Sequence, residues 1–279
     1  MDSYRRRQIT AVAEAEVKNS GLIELPIDPI QIANRAEIVV QAKPSEMAGA
    51  SGWLVRSGDG FGILYATHRN NEGFERFSIA HELGHYFLDG HAEHVFRNGE
   101  RHQSMAGFGS KDRIELEADY FAASLLMPPK LFRREMSRFK DGLKAIMGLR
   151  EICRTSLEAT AIRYAEHTPA AVAIVLSKAG VIQYCVMSDE LRELTNSRPR
   201  RNAFVPTKSV THRYIKSANQ EEIDSDELPA DEWFEQLRGT CTEEVIGLGQ
   251  TGRVLSILTF EIDIEEDDGL DSHSLTFRR

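Results

Sequence analysis

Apolar residues recur first at helical and then at alternating spacings through the first seventy residues of the 279-residue chain. Asp28 followed by Pro29 is typical of a helix start, because aspartate caps free amide groups and proline fits the first turn. The Gly-rich run from Ser57 to Gly60 separates two β-type segments and predicts a hairpin. The predicted order is two helices at 4–20 and 28–34, then three strands at 36–41, 53–56 and 61–66. A small sheet is therefore expected ahead of residue 70.

Two further helices are predicted next, with a polar segment between them. The first covers residues 77–88, where apolar residues and histidines border one side of the helix. The second begins near Ile114 and stops at Pro128, because proline cannot continue a helix. Residues 89–113 between them are polar and are expected to form an irregular loop beside any cleft that the two helices line.

The rest of the chain predicts a helical segment and then a second α+β unit. Residues 130–167 are helical by pattern, and Ser156 is a candidate N-cap for the second helix of a helix-turn-helix. The later elements are a hairpin of 170–176 with 181–187, a short helix at 231–237 and a strand at 254–262. The expected fold class is α+β, with a domain at 1–129, a helical segment at 130–168 and a domain at 169–279.

Charge and cysteine content narrow the class of protein. The chain has 34 basic and 43 acidic residues, a net charge of −9, which argues against a generally nucleic-acid-binding surface. Residues 130–167 are locally basic, so DNA binding by that segment stays open. Three cysteines without paired spacing indicate a reducing compartment, and no apolar run is long enough for a membrane helix. The basic start lacks the apolar segment of a signal peptide, so a cytoplasmic protein is expected.

The candidate chemistry lies in His81-Glu82-Leu83-Gly84-His85. Residues four apart share one face of a helix, so His81 and His85 can hold a single zinc ion. Glu82 lies about 60° further round the helix than His85 and can act as the general base on the attacking water. Gly84 costs about 1 kcal/mol in a helix interior relative to alanine, which indicates close approach of either another backbone or the metal site. The alternative is a surface helix that carries two histidines and a glutamate.

Two candidates could supply a third metal ligand. His91 follows His85 by six residues, which is metzincin spacing, but Leu88 replaces the glycine of that pattern. We favour Glu115 in the next helix, with Asp119 one turn later hydrogen-bonded to a metal-binding imidazole. Glu117 is then expected to be a solvated charge. A loop histidine, Tyr65 or Tyr86 could stabilise the oxyanion formed during peptide hydrolysis, and the sequence does not choose among them.

Two sequence blocks resemble the ImmA/IrrE family of metallopeptidases. They are Phe77-Ser-Ile-Ala-His-Glu-Leu-Gly-His-Tyr-Phe-Leu88 and Glu115-x-Glu-Ala-Asp-x-Phe-Ala-Ala-x-Leu-Leu-Met-Pro128. The closely similar part is roughly residues 10–130, while the length and layout of the whole chain resemble the longer IrrE-type stress regulators. The resemblance implies a zincin-like domain, a helix-turn-helix-like segment and a C-terminal GAF-like α+β domain.

The same resemblance implies a function. His81, His85 and Glu115 would be the metal ligands and Glu82 the catalytic base. The expected ion is Zn²⁺, although His₂Glu sites also accept Mn²⁺ and other divalent ions. The expected substrate is a helix-turn-helix transcriptional repressor whose cleavage induces a stress-response or mobile-element regulon. The alternative is a non-catalytic regulator that binds a repressor, or binds DNA through the helical segment. No membrane partner is expected.

Overall fold

A computed structural model describes the chain at residues 1–43, 50–67, 71–97, 99–104, 112–217, 222–249 and 252–261. The helices there are α1 (Ser3–Asn19), α2 (Pro29–Arg35), α3 (Glu72–Phe87), α4 (His91–Val95), α5 (Arg113–Leu126), α6 (Pro129–Met136), α7 (Leu143–Cys153), α8 (Leu157–His167), α9 (Asp189–Leu194) and α10 (Val210–Lys216). The strands are β1 (Val39–Lys43), β2 (Gly52–Ser57), β3 (Gly60–Ala66), β4 (Arg101–Ser104), β5 (Val172–Lys178), β6 (Val181–Met187), β7 (Asp224–Pro229), β8 (Thr240–Gly247) and β9 (Arg253–Glu261). Helices and two sheets confirm the α+β class.

The first sheet has the strand order β1-β3-β2-β4. The predicted hairpin is confirmed, since β2 and β3 pair antiparallel from Gly52↔Tyr65 to Ser57↔Gly60. β1 adds to β3 in parallel, and β4 adds to β2 antiparallel. The expectation of an irregular loop over 89–113 is wrong where α4 and β4 form. β4 is four residues long with no apolar alternation, and it obtains its backbone partners from β2.

Local caps set the starts of the two helices that carry the sequence motifs. The Asn71 side chain accepts a hydrogen bond from the Phe74 amide at 3.0 Å, so α3 begins five residues before the predicted start. The Asp112 side chain accepts from the Ile114 amide at 2.9 Å and starts α5. α5 ends at Leu126, just before the two prolines that predicted its end.

α3 and α5 pack directly against each other. Leu83 of α3 and Phe121 of α5 share a buried core with Ile9 of α1. Gly84 lies at the helix contact, where an added Cβ would lie 3.1 Å from the Cα of Ala118. This close approach explains the glycine in the middle of α3. It also brings the histidines of α3 beside the carboxylates of α5.

Replacing Gly84 by alanine is expected to lower the free energy of unfolding by about 1 kcal/mol. Overpacking against the α5 backbone costs roughly 1–3 kcal/mol, and alanine regains about 1 kcal/mol of helix propensity. Valine at the same position is expected to cost more, because it adds two methyl groups at the contact. Urea unfolding measures both changes, and unchanged midpoints for both variants would contradict the close approach.

The helices α6 to α8 share a core with the second sheet. Its buried members include Phe132, Leu149, Tyr164, Ile174 and Ile257. α8 has no exposed residue along its length, because it is packed between the other helices and the sheet. A recognition helix must place side chains in a DNA groove, and α8 has no free face to do so.

The second sheet is antiparallel, with the order β6-β5-β9-β8-β7. The predicted hairpin β5–β6 and the late strand β9 form as expected, although residue 262 lies outside the described residues. The helix predicted at 231–237 is wrong. Only a 3-10 turn at Ala230–Glu232 forms there, because Gln236 has φ +72° and Trp233 and Phe234 are buried in the sheet core. Of the described helices, none has the length and apolar character that a membrane span requires.

Candidate metal centre

Three of the predicted site residues converge between α3 and α5. One ring nitrogen each from His81 and His85 and one oxygen of Glu115 lie within 4.8 Å of one another. The Nε2 atoms of the two histidines are 3.1 Å apart. They lie 3.3 Å and 3.4 Å from the two carboxylate oxygens of Glu115. Two imidazoles and a carboxylate are a donor set that binds divalent metal ions.

The hydrogen-bond partners of the two imidazoles indicate that the space between them suits a cation. His81 Nδ1 lies 2.8 Å from Asp119 Oδ1, and an ionised carboxylate can only accept, so Nδ1 carries the proton. His85 Nδ1 lies 3.3 Å from His91 Nδ1 and is assigned as a donor to it. In these neutral tautomers both Nε2 lone pairs point at each other beside an anionic carboxylate. A divalent cation relieves that repulsion, so the residues fit a metal ion.

The same groups hold a proton when no cation is bound. Burial lowers the pKa of His81, but hydrogen bonds with Asp119 and Glu115 outweigh burial and raise the pKa to about 10. Burial lowers the pKa of His85 to about 3. Burial raises the pKa of Glu115, but hydrogen bonds to three histidines, of which His102 contributes most, hold it far below its usual range. A protonated His81 therefore balances the ionised Glu115.

Metal affinity is expected to rise about tenfold per pH unit between pH 6 and pH 8. Metal binding must displace the His81 proton, and a pKa near 10 keeps that proton in place throughout this range. Competition with a chelator at each pH measures the apparent dissociation constant. An affinity that does not change over the two units would contradict the proton assignment.

Glu82 lies on α3 outside the converging set. Its side chain points at β2, where a Cβ on Gly52 would come within 2.6 Å of Oε1. The residue is 0% exposed, and in the described part of the chain no hydrogen bond of normal geometry reaches either carboxylate oxygen, although the nearby Ser104 hydroxyl partly stabilises the charge. Burial raises the pKa of Glu82 to about 7. A base with a pKa near 7 is suited to exchange protons with water at neutral pH.

The site opens toward Glu115 and His102. Their side chains are 16% and 19% exposed, whereas those of His81 and His85 are fully buried. His102, on β4, lies with Nε2 3.1 Å from Glu115 Oε1 and donates a hydrogen bond to it. Of the loop histidines, His102 therefore reaches the open side.

Glu117 differs from the sequence-based expectation, and two residues that the sequence left as alternatives, His91 and Tyr86, have other contacts. Glu117 is buried, not solvated, because Arg5 and Arg113 both donate hydrogen bonds to it. The Arg5 contact spans 112 positions along the chain, so no local pattern could indicate it. His91 does not join the ligand set, since its ring nitrogens face His85 and Glu117. Tyr86, an oxyanion candidate, packs edge-on against the Phe61 ring in the core.

Comparison with known proteins finds a family model that matches the part of the chain that carries this site. Residues 33–164 match the family Peptidase_M78, described as the IrrE N-terminal-like domain. The resemblance to ImmA/IrrE metallopeptidases is thereby confirmed, and a divalent metal is the cofactor that this family implies.

One solved structure with a similar fold is a Mycobacterium tuberculosis transcriptional regulator. It superposes with a TM-score of 0.60 at 16% sequence identity, covering 91% of this chain and 76% of that chain. At this identity the likeness concerns the fold alone. A search of curated proteins found no match to the sequence.

Proposed function

We propose that this chain is a metal-dependent, site-specific endopeptidase. His81, His85 and Glu115 bind the divalent ion, with Zn²⁺ preferred and Mn²⁺ or another divalent ion as the alternative in the cell. Asp119 holds His81, and Glu82 is the catalytic base. The observation that supports this best is the convergence of two imidazoles and a carboxylate near the fully buried carboxylate of Glu82.

The mechanism follows from the positions of the side chains. A bound divalent ion supplies Lewis-acid chemistry, polarising the scissile carbonyl and making water a stronger acid. Glu82 accepts the proton of the attacking water and later delivers it to the leaving amine. Among the described residues no hydrogen bond of normal geometry holds either oxygen of this carboxylate, so both can take part in this transfer. Asp119 and His102 keep His81 and Glu115 in place, each by one hydrogen bond.

The proposed substrate is a helix-turn-helix transcriptional repressor, whose cleavage would induce a stress-response or mobile-element regulon. The family match and the fold of a transcriptional regulator support a role in gene regulation. A cytoplasmic location is part of this proposal, because repressors act there.

The domain layout also remains a proposal. We infer a zincin-like peptidase domain at 1–129, a helix-turn-helix-like helical segment at 130–168 and a GAF-like domain at 169–279. The five-stranded antiparallel sheet with α9 and α10 supports an α+β C-terminal unit. The burial of α8 means that the helical segment would act as packing between the other two units.

Incubating the purified chain with candidate helix-turn-helix repressors, starting with any that is encoded beside it, tests the proposed function. Zn²⁺ or Mn²⁺ is added to separate samples, and the products are followed by gel electrophoresis and size-exclusion chromatography. The proposal expects two repressor fragments and turnover. A stoichiometric complex with intact repressor would instead support a non-catalytic regulator.

A further inference from the structure

The face of His85 that points away from the metal site contacts a second buried imidazole. His85 Nδ1 lies 3.3 Å from His91 Nδ1, and both side chains are buried. His85 Nε2 faces Glu115 and is the atom that would bind the ion, so neutral His85 carries its proton on Nδ1 and donates it to His91. His91 must then carry its own proton on Nε2.

That second proton has a fixed acceptor. His91 Nε2 lies 3.2 Å from Glu117 Oε2, and a buried carboxylate accepts it. Arg5 donates to the same oxygen through Nε at 2.9 Å, and its terminal amino group makes a second short contact. Arg113 donates to Glu117 Oε1 at 2.7 Å. Each of these N–H groups, from His85 to the two arginines, therefore has one acceptor. All of the hydrogen bonds form only when His85 carries its proton on Nδ1 and His91 carries its proton on Nε2.

The two arginines differ in their surroundings. The Arg5 side chain is 23% exposed, whereas that of Arg113 is 78% exposed, so solvent screens the Arg113 pair far more. Arg5 belongs to α1, which packs on α5 through Ile9 and Ala13 in the shared core. α1 lies outside the 33–164 range that matches the peptidase family. A helix beyond the matched domain thus reaches the region behind the metal centre.

We propose that Arg5, Glu117 and His91 are positioning residues that fix the tautomer and ring orientation of His85 for metal binding. This inference rests on the proposed function, because it assumes that His85 is a ligand. Asp119 holds His81 with one carboxylate, whereas His85 is held through a histidine relay that ends on α1. Partners of this kind typically change metal affinity by about 10–100-fold when they are removed.

Metal affinity of the full chain tests the relay. Zn²⁺ dissociation constants are measured by chelator competition, and Co²⁺ absorption spectra report ligand geometry. His91→Phe is expected to weaken Zn²⁺ binding about 10–100-fold and to alter the Co²⁺ spectrum, and Glu117→Gln should do so in the same direction. In His91→Gln the side-chain amide can accept a hydrogen bond from His85 and donate one to Glu117. This variant should therefore retain more Zn²⁺ affinity than His91→Phe.

A matched pair of arginine variants distinguishes an effect of the hydrogen-bonded relay on metal affinity from a general effect of losing a positive surface charge. Arg5→Gln is expected to weaken binding about tenfold, and Arg113→Gln by no more than about fivefold. If His91→Phe does not fold, Glu117→Gln carries the test, because it preserves side-chain volume. Wild-type affinity and an unchanged Co²⁺ spectrum in His91→Phe and Glu117→Gln would overturn the relay. If Asp119→Asn still weakens binding in the same assay, the proposed function stays intact. A wild-type chain that binds no metal would overturn both.

Discussion

Glu82→Gln is expected to lower the rate of repressor cleavage about a thousandfold while Zn²⁺ affinity stays within a few-fold of wild type. General acid–base catalysis contributes roughly 10²–10⁴-fold, and a glutamine amide cannot accept the proton of the attacking water. Glu82 is not among the three converging residues that are proposed to bind the ion, so its replacement leaves the donor set complete. Initial rates at saturating Zn²⁺, together with chelator competition, measure the two effects separately.

The stability of the Glu82→Gln variant controls for misfolding. Because the pKa of Glu82 is raised from 4.5 to about 7, the buried carboxylate destabilises the metal-free fold progressively between these pH values, and the full effect is present at pH 8. The metal-free variant should therefore unfold at pH 8 at the same temperature as wild type or higher. Glu93→Gln makes the same chemical change on the exposed face of α4 and should leave the rate unchanged. Full activity in Glu82→Gln would remove Glu82 from the mechanism.

Glu115→Ala is expected to weaken Zn²⁺ binding on the order of a hundredfold or more and to abolish cleavage at limiting metal. Structural zinc sites bind with roughly 10–16 kcal/mol over four ligands, so one ligand contributes about 3 kcal/mol. The change also removes the charge that balances the ion between the two imidazoles. Chelator competition measures the affinity, and activity is measured across a series of Zn²⁺ concentrations.

Two controls accompany Glu115→Ala, which are rescue by excess Zn²⁺ and removal of an exposed acidic residue. Activity should return in part at high Zn²⁺, because His81, His85 and Glu82 remain in place. Glu93→Ala, which removes an exposed acid from nearby α4, should bind Zn²⁺ as wild type does. Wild-type affinity in Glu115→Ala would show that another residue completes the site.

The helix-borne part of the site could be predicted from sequence because its geometry is local. His81 and His85 are one turn apart on α3, and Glu115 and Asp119 are one turn apart on α5. Gly84 indicated a close helix contact, and Ala118 of α5 provides it. Helical spacing predicts that each pair of side chains lies on one face of its helix, and Gly84 indicates that something packs closely against α3.

Contacts between distant parts of the chain could not be predicted in the same way. The sequence predicts a solvated Glu117 because its partners Arg5 and His91 lie far from it along the chain. No helical or strand periodicity relates residues that are so far apart. β4 was missed because it is short and polar and depends on β2 for its partners. The helix predicted at 231–237 did not form because burial of two aromatic residues in the sheet core outweighs helix propensity.

Cleavage as a function of bound metal tests the central claim most directly. The chelator-treated chain is titrated with Zn²⁺, and fragments of the repressor are quantified by intact-mass spectrometry at each step. The proposed mechanism predicts no cleavage without metal and a rise in rate that saturates at one ion per chain, with no rise in Glu82→Gln. Cleavage by the metal-free chain, or intact repressor at every metal concentration, would contradict it.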